Sequence, residues 1–460
     1  MAFAARKTSA SIPISPLTEA GLKDWKKTAS KELTQWIAAT GFKAAPGAVA
    51  YLPDDKGGMA RVLLGVSDSD SPGGGIWDLA GLPSSLPKGR YYLDATLSSE
   101  KATAAALGWA LGCYRFDRYK KMAKPEAELV LPENADKAEV ERMAAGIGLI
   151  RDLINTPAAD LGPADLADAA KAMAKPHRAR VKIIAGKSLL TENYPSVHAV
   201  GRAAAQEPRL IDITWGKADA PRVTLVGKGV CFDSGGLDIK PASGMLNMKK
   251  DMGGAAQVLG LAHMIMDAKL PLRLRVLVPA VENAISGNAF HPRDILQTRK
   301  GLTVEVGNTD AEGRLILSDA LAEAASEKPE MIIDFATLTG AARVALGSDV
   351  PALFCNDDDL ADALLSNGTE ANDAMWRMPL WPGYKPFLSS TVADISSTGS
   401  APNGGAITAA LFLEHFVEPD IPWAHIDLMA FNTSARPGRP EGGEAQGVRG
   451  IYAMLKKRYG

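Results

Sequence analysis

The sequence predicts an α/β protein of two domains, a smaller N-terminal α/β domain and a larger C-terminal domain with a mixed, mainly parallel central sheet flanked by helices. Three observations support this prediction. The chain has 460 residues, more than a single domain usually holds. Short apolar segments alternate with helical patterns along most of the chain. In the second half these segments are apolar throughout, which is typical of strands buried on both faces of a sheet.

The first domain begins with residues 17–40, whose apolar side chains recur at helical spacing and predict one amphipathic helix. Residues 98–114 predict a second helix, opened by Ser98 or Ser99 as the capping residue. Short apolar segments predict strands at 48–52, 61–66 and 91–97.

A proline- and charge-rich stretch, residues 123–140, is the predicted boundary. A helix follows it and ends before Pro157. We therefore predict an N-terminal domain over residues 1–135, a linker helix over 136–157 and the larger domain over 158–460.

The larger domain shows the strand–helix alternation at greater length. Residues 253–267 and 315–326 predict two of its helices, and residues 396–408 predict a long loop of the kind that often borders an active site. The predicted strands are 179–186, 209–215, 222–231, 273–281, 302–307, 331–338, 350–355 and 423–430.

Composition excludes several classes of protein. The net charge is −2, from 51 basic and 53 acidic residues, so there is no electrostatic case for nucleic acid or an anionic membrane as a partner. No apolar stretch is long enough for a spanning helix or a signal peptide. The three cysteines, Cys113, Cys231 and Cys355, are far apart and are expected to be reduced thiols. We therefore expect a soluble, cytoplasmic protein.

Four carboxylates lie in two segments that each follow a predicted strand and precede a predicted helix. Asp233 and Asp251 belong to the first segment, and Asp310 and Glu312 to the second. In open α/β sheets ligands bind at this edge, so both segments are expected to face one crevice. Grouped carboxylates repel each other unless cations neutralise them. The pattern therefore predicts either a pair of divalent ions in a hydrolase, Zn²⁺, Mn²⁺ or Mg²⁺, or charges solvated on loops.

Three cations accompany these carboxylates. Lys228 is either a counter-ion or, beside divalent metals, a neutral amine ligand, and spacing alone does not decide between them. Lys240 and Arg314 are placed to stabilise an oxyanion or to hold an anionic cofactor. The six histidines are scattered, and His425 is expected to be structural.

Four segments resemble, in order and spacing, those of the leucyl aminopeptidase family, the dinuclear cytosol aminopeptidases. The resemblance extends over about residues 150 to 460. Its segments are NTDAEGRL (308–315), VGKGVCFDSGGLDIKP (226–241), MKKDMGGAA (248–256) and DFATLTGA (334–341).

The resemblance implies a metallo-exopeptidase with two divalent ions per subunit, Mn²⁺ or Zn²⁺. The implied ligands of the tighter site are Lys228, Asp233, Asp251 and Glu312, and those of the more exchangeable site are Asp233, Asp310 and Glu312. The backbone carbonyl of Asp310 is also implied as a ligand. Lys240 and Arg314 resemble the two catalytic cations, with Arg314 holding a bicarbonate that acts as general base.

The implied activity is release of N-terminal amino acids from short peptides by attack of a metal-bridging water, with a leucine-like preference as one option. The implied substrate contacts are Met248, Asn308, Thr337, Leu338, Gly340 and Met429. Methionine at 429 is larger than the residue of better-known members, so we expect a shortened or reshaped pocket. The family also implies a homohexamer. Alternatives are a DNA-binding regulator, a non-catalytic scaffold and a cysteinyl-glycine hydrolase.

Overall fold

A computed structural model describes residues 3–67 and 75–460. The chain divides into two compact units, Met1–Ala145 with Ser434–Glu441, and Gly146–Thr433 with Gly442–Gly460. Both units are built from helices and sheets, which confirms the predicted α/β class. The division falls within the helix Lys137–Asn155. The boundaries predicted at residues 135 and 157 stay a prediction.

The N-terminal unit contains a six-stranded sheet with the order β1-β6-β5-β2-β4-β3. All neighbouring strands in it are parallel except β3 and β4. Its strands are β1 Phe3–Ala4, β2 Ile12–Leu17, β3 Val49–Pro53, β4 Met59–Gly65, β5 Gly89–Leu93 and β6 Ala127–Val130. Its helices are α1 Glu19–Thr28, α2 Lys31–Ala39, α3 Leu82–Ser85 and α4 Ser99–Gly112.

The single helix predicted over residues 17–40 is wrong, because the chain forms two helices there. Ser30 has an extended backbone, and its hydroxyl accepts a hydrogen bond from Leu33 N at 3.3 Å. A capping serine starts a new helix at this point, and the amphipathic spacing on either side concealed the interruption. The cap predicted for the next long helix is confirmed, since Ser98 Oγ accepts from Lys101 N.

The larger unit contains a nine-stranded sheet in which β18, β14, β9 and β11 are mutually parallel. β8 is antiparallel to both β11 and β7, and β15 is antiparallel to β18 but parallel to β16. The sheet order is β16-β15-β18-β14-β9-β11-β8-β7, with β10 also paired to β11. The predicted mixed, mainly parallel sheet is confirmed. The strands of this unit are β7 Arg180–Ala185, β8 Arg209–Trp215, β9 Arg222–Gly227, β10 Gly229–Asp233, β11 Arg273–Asn283, β12 Ile295–Gln297, β13 Thr303–Glu305, β14 Met331–Ala336, β15 Ala352–Cys355, β16 Trp376–Arg377, β17 Ile395–Ser396, β18 Trp423–Asp427, β19 Phe431–Asn432 and β20 Gly442–Gly443.

Helices cover both faces of this sheet, and most of their inward side chains are buried. The α-helices are α5 Lys137–Asn155, α6 Pro163–Ala174, α7 Ser188–Thr191, α8 Pro195–Gly201, α9 Ala242–Met245, α10 Gly253–Asp267, α11 Glu312–Ser326, α12 Gly340–Leu346, α13 Asp358–Glu370, α14 Gly405–Glu414 and α15 Val448–Tyr459. Short 3-10 helices occupy Lys175–His177, Met248–Met252, Thr309–Ala311 and Pro382–Leu388. None of the helices in the described ranges is long and apolar enough to cross a membrane.

Two predicted strands differ from the structure. Residues 222–231 form two strands, β9 and β10, with a break at Lys228. Both pair in parallel with β11, at successive positions along it, so the chain keeps its direction across the break and stays in the sheet. The strand predicted at 302–307 is β13, which lies in a separate three-stranded sheet with β12 and β17. Periodicity identified this strand but could not identify its sheet.

Two charged pairs are buried inside the larger unit. His425, buried on β18, donates from Nδ1 to Asp334 on the adjacent strand β14 at 2.6 Å, which confirms its structural role. Arg151 on α5 is 0% exposed, and its Nη2 donates to Glu444 Oε1 at 3.0 Å. These pairs compensate charges that would otherwise be costly to bury.

Replacing Arg151 with methionine is expected to lower the free energy of unfolding by about 3–5 kcal/mol, because it leaves the Glu444 carboxylate buried without its guanidinium. Urea denaturation of both proteins would measure the difference. The control is Lys171→Met, which breaks an exposed pair with Asp168 and should cost less than about 1 kcal/mol. Equal losses in the two variants would contradict the prediction.

Candidate active site

The residues predicted to form a site lie at the carboxyl ends of the central parallel strands. Lys228 directly follows β9, and Thr337 directly follows β14. Asp251 lies in the 3-10 helix that leads into α10, and Glu312 is the first residue of α11. This edge is where open α/β sheets bind ligands, because loops there leave a crevice between strand ends and helix starts.

Lys228 connects the two carboxylates nearest to it. Its Nζ lies 2.8 Å from Asp251 Oδ2 and 2.9 Å from Glu312 Oε1, and it donates to the carbonyl oxygen of Thr337 at 3.1 Å. Glycine is required at 313, because a Cβ there would lie 2.5 Å from Lys228 Cε. Burial alone would lower the pKa of Lys228, but the charges of Asp251 and Glu312 outweigh it and raise that pKa. Beside these carboxylates alone Lys228 acts as a counter-ion, and coordination of a divalent ion by the same nitrogen would require the loss of its proton.

Lys240 makes the corresponding contacts on the other side. Its Nζ lies 2.8 Å from Asp233 Oδ2 and also pairs with Asp310. Asp233 Oδ1 accepts hydrogen bonds from the backbone N–H of Gly235 at 2.9 Å and from Asn283 Nδ2 at 2.8 Å. These bonds fix the orientation of the Asp233 carboxylate. Asn283 ends β11, and its role was not apparent from the sequence because no local motif surrounds it.

The carboxylates are closer together than their charges favour. Oxygen atoms of Asp233, Asp310 and Glu312 all lie within 4.8 Å of one another. Burial, with the nearby charge of Asp233, raises the pKa of Glu312 to about 8 and that of Asp310 to about 6. Burial opposes ionisation of Asp251 too, but Lys228 outweighs it and lowers the pKa of Asp251. The group can therefore accept cations beyond the two lysines.

Two buried oxygens in the group have no hydrogen-bond donor in the described part of the chain. They are Asp251 Oδ2 and Glu312 Oε1. Each lies within ion-pair distance of Lys228 Nζ, so the ammonium is the counter-charge of both. Buried carboxylate oxygens with open lone pairs are suitable ligands for a hard divalent ion.

Arg314 lies one residue after Gly313 on α11. Its Nη1 donates to the carbonyl oxygen of Ser397 at 2.7 Å, and its buried Nε has no hydrogen-bond partner in the described ranges. Ser397 belongs to the segment predicted as a long loop near the site. Burial lowers the pKa of Arg314 to about 10, so the guanidinium stays charged at neutral pH. An arginine with an unused donor can hold a small anion.

Two of the predicted substrate contacts support the carboxylate group or its turn, and a third bonds to an acid outside that group. Thr337 Oγ1 donates to Asp251 Oδ1 at 2.8 Å. Leu338 N donates to Asp427 Oδ1 at 3.0 Å. Asn308 Oδ1 accepts from Asp310 N at 2.7 Å and so holds the turn that carries Asp310.

The other predicted pocket residues are Met248, Gly340 and Met429. Met248 begins the 3-10 helix that carries Asp251. Arg343, which the sequence did not single out, lies near both of the others. Its Nη1 is 3.3 Å from Met429 Sδ, and a Cβ on Gly340 would lie 3.5 Å from its Nη2. The only feature of the sequence that could have identified Arg343 is its position three residues after Gly340, in the helix α12.

Buried carboxylates and lysines lie together at the strand ends of a mixed α/β sheet. This arrangement is typical of the class of metal-dependent hydrolytic enzymes. The profile of the cytosol aminopeptidase family, catalytic domain, matches residues 148–452, and that of the M17 aminopeptidase N-terminal domain matches residues 12–132. The chain belongs to the cytosol aminopeptidase family and is a metal-dependent aminopeptidase, a hydrolase, which confirms the predicted fold, family and activity.

Individual relatives agree with this assignment. A probable cytosol aminopeptidase of Roseiflexus castenholzii is 42% identical over 374 residues, which are 77% of this chain and 76% of that protein. The crystal structure of cytosol aminopeptidase from Coxiella burnetii has a TM-score of 0.95 and 50% identity, with 100% of both chains covered. The bottromycin maturation enzyme BotP in complex with Mn has a TM-score of 0.89 and 33% identity, covering 98% of this chain and 100% of that one.

Proposed function

We propose that this aminopeptidase releases N-terminal amino acids from short peptides with two divalent ions held by Lys228, Asp233, Asp251, Asp310 and Glu312. The observation that carries the proposal is the approach of carboxylate oxygens from Asp233, Asp310 and Glu312 to within 4.8 Å of one another. Carboxylates at this separation are stable together when cations lie between them.

The chain's own residues divide between two ion sites in this proposal. Lys228, Asp233, Asp251 and Glu312 hold the tighter ion, and Asp233, Glu312 and Asp310, the last with its side chain and its backbone carbonyl, hold the exchangeable one. The oxygens without donors on Asp251 and Glu312 support this division. When bound, the two ions would lower the pKa of a water molecule and polarise a peptide carbonyl. Mn²⁺ is favoured by the Mn complex of BotP, and Zn²⁺ is the alternative.

The cations of the chain have separate tasks. Lys240, released from Asp233 and Asp310 when these bind ions, donates hydrogen bonds to the oxyanion that forms on the peptide carbonyl. Arg314 would hold a bicarbonate through its unused donor, and the anion would supply a general base. The substrate's free α-amine approaches Asp251, which accounts for cleavage only at the N-terminus.

A panel of aminoacyl-p-nitroanilides and dipeptides tests this function. The protein is assayed with Mn²⁺, with Zn²⁺ and with a chelator, and N-acetylated substrates serve as controls. We expect hydrolysis of free-amine substrates with either ion, its loss on chelation and its recovery when metal is restored. Hydrolysis that persists in chelator, or cleavage of acetylated substrates at equal rate, would refute the proposal.

The Met429→Ala variant is expected to enlarge the first side-chain pocket. Removing the methionine side chain opens space beside Gly340, so kcat/KM for phenylalanine substrates should rise several-fold relative to alanine substrates. Relative rates on Leu, Phe and Ala p-nitroanilides measure the effect. The prediction fails if the three relative rates are those of the wild type.

The assembly and location are also proposals. We propose a homohexamer in the cytoplasm, without nucleic acid as a partner, with the α5 segment linking the two domains. The name cytosol aminopeptidase among the relatives and three cysteines without disulfides support the location. Light scattering should give a mass six times that of the 48.5 kDa chain. A monomer or dimer mass would contradict the hexamer.

A further inference from the structure

Arg343 lies against the predicted pocket for the substrate's first side chain. It belongs to α12, the helix that starts at Gly340, and its side chain is exposed. One guanidinium nitrogen is 3.3 Å from Met429 Sδ, and the other would be 3.5 Å from a Cβ on Gly340. The guanidinium therefore covers the space between two residues of the pocket wall.

The donors of Arg343 are largely uncommitted. Across residues 3–67 and 75–460 it forms no ion pair, and its one contact is with a thioether, a weak acceptor. Other arginines of the same unit are paired with acids. Arg275 binds Asp212 and Glu323, and Arg299 binds Glu323. Arg343 is thus a cation at a pocket without a resident counter-ion.

A second cation lies near it. Lys250 is 4% exposed, and its ammonium makes no hydrogen bond or ion pair with any described residue. The two acids that attract it are occupied elsewhere: Asp251 pairs with Lys228, and Asp427 accepts from the backbone N–H of Leu338 and from its neighbour Thr339.

We propose that the first side-chain pocket accepts acidic residues, glutamate or aspartate, and that Arg343 determines this specificity by binding their carboxylate. The inference rests on the proposed function, since the pocket is the one that would hold the N-terminal residue. An arginine binds a carboxylate with two parallel hydrogen bonds, and the guanidinium of Arg343 lies beside Met429 with its donors largely unused. In this proposal the methionines of the pocket contact the methylene groups of the substrate's acidic side chain. The same apolar contacts can hold a leucine side chain, so the proposal is compatible with cleavage of leucine substrates.

Glutamate and glutamine substrates have side chains of similar size but different charge, so comparing them tests whether the pocket recognises the carboxylate. The manganese-loaded wild type, Arg343→Gln and Arg180→Gln are assayed with Glu-, Gln- and Leu-p-nitroanilide. Arg180 is an exposed arginine on the strand β7 at the far edge of the sheet and is the matched control. In the wild type, kcat/KM for Glu should exceed that for Gln by about tenfold or more, the range of a charge-assisted hydrogen bond. Arg343→Gln should lose that ratio, and Arg180→Gln should keep it.

Binding of the free amino acids gives a readout that does not depend on turnover. L-glutamate should raise the melting temperature of the manganese-loaded wild type more than L-glutamine does, and this difference should vanish in Arg343→Gln. If leucine substrate is cleaved but the Glu-to-Gln ratio and the melting difference are the same in wild type and Arg343→Gln, the inference is overturned alone. If the wild type cleaves none of the three substrates, the proposed function is overturned, and the inference with it.

Discussion

The Glu312→Gln variant is expected to lose bound divalent ion and at least about 10²-fold in kcat/KM. Loss of a residue that merely orients a ligand already costs 10–100-fold in metal affinity or activity, and Glu312 is proposed to contact both ions. Its carboxylate is buried, at 1% exposure, so water cannot substitute easily for the lost charge. Metal content after gel filtration and steady-state kinetics measure the two effects.

The variant is expected to fold without metal. Glutamine keeps the size of Glu312, and its amide oxygen can accept a hydrogen bond from the Lys228 ammonium, which lies 2.9 Å from Glu312 Oε1. The matched control is Glu323→Gln, a buried glutamate on the same helix that pairs with Arg275 and Arg299. It should keep its metal and its activity while it loses stability. Full metal content and activity in Glu312→Gln would exclude Glu312 as a ligand.

The Lys240→Ala variant is expected to lower kcat by about 10²–10³-fold, the usual effect of removing one oxyanion donor, with a small change in KM. The ammonium of Lys240 lies at the carboxylate group but is partly exposed, so a substrate carbonyl can reach it. Single-turnover kinetics with a p-nitroanilide substrate would show whether the chemical step is slowed.

Two further measurements separate this role from a structural one. Metal content should be unchanged in Lys240→Ala, because Lys240 is not proposed as a ligand. Lys240→Arg, which keeps the positive charge, should recover part of kcat. A rise in KM alone, or a parallel loss of metal, would show that Lys240 positions the substrate or the carboxylates instead.

Secondary structure was largely predictable from the sequence. The helix predicted at 253–267 is α10 with the same bounds. Its apolar spacing and the glycines at its start are local properties that can be read from the sequence. The helix predicted over 17–40 was wrong because one capping serine interrupts a continuous apolar spacing. The break at Lys228 was missed because its cause is not local: its N–H donates to Phe335 on β14, and its carbonyl accepts from Ala255 on α10.

Local patterns also determined which residues carry the chemistry, since acids and lysines between a strand and a helix are visible in the chain itself. Only the tertiary structure decided how they meet. Lys228 could be a counter-ion or a ligand by spacing, and the folded chain places its ammonium between Asp251 and Glu312. Arg343 reaches the pocket because α12 and β18 come together in space. The physical reason is that strand order and helix packing set distances between residues far apart in sequence, whereas propensity and periodicity act only on near neighbours.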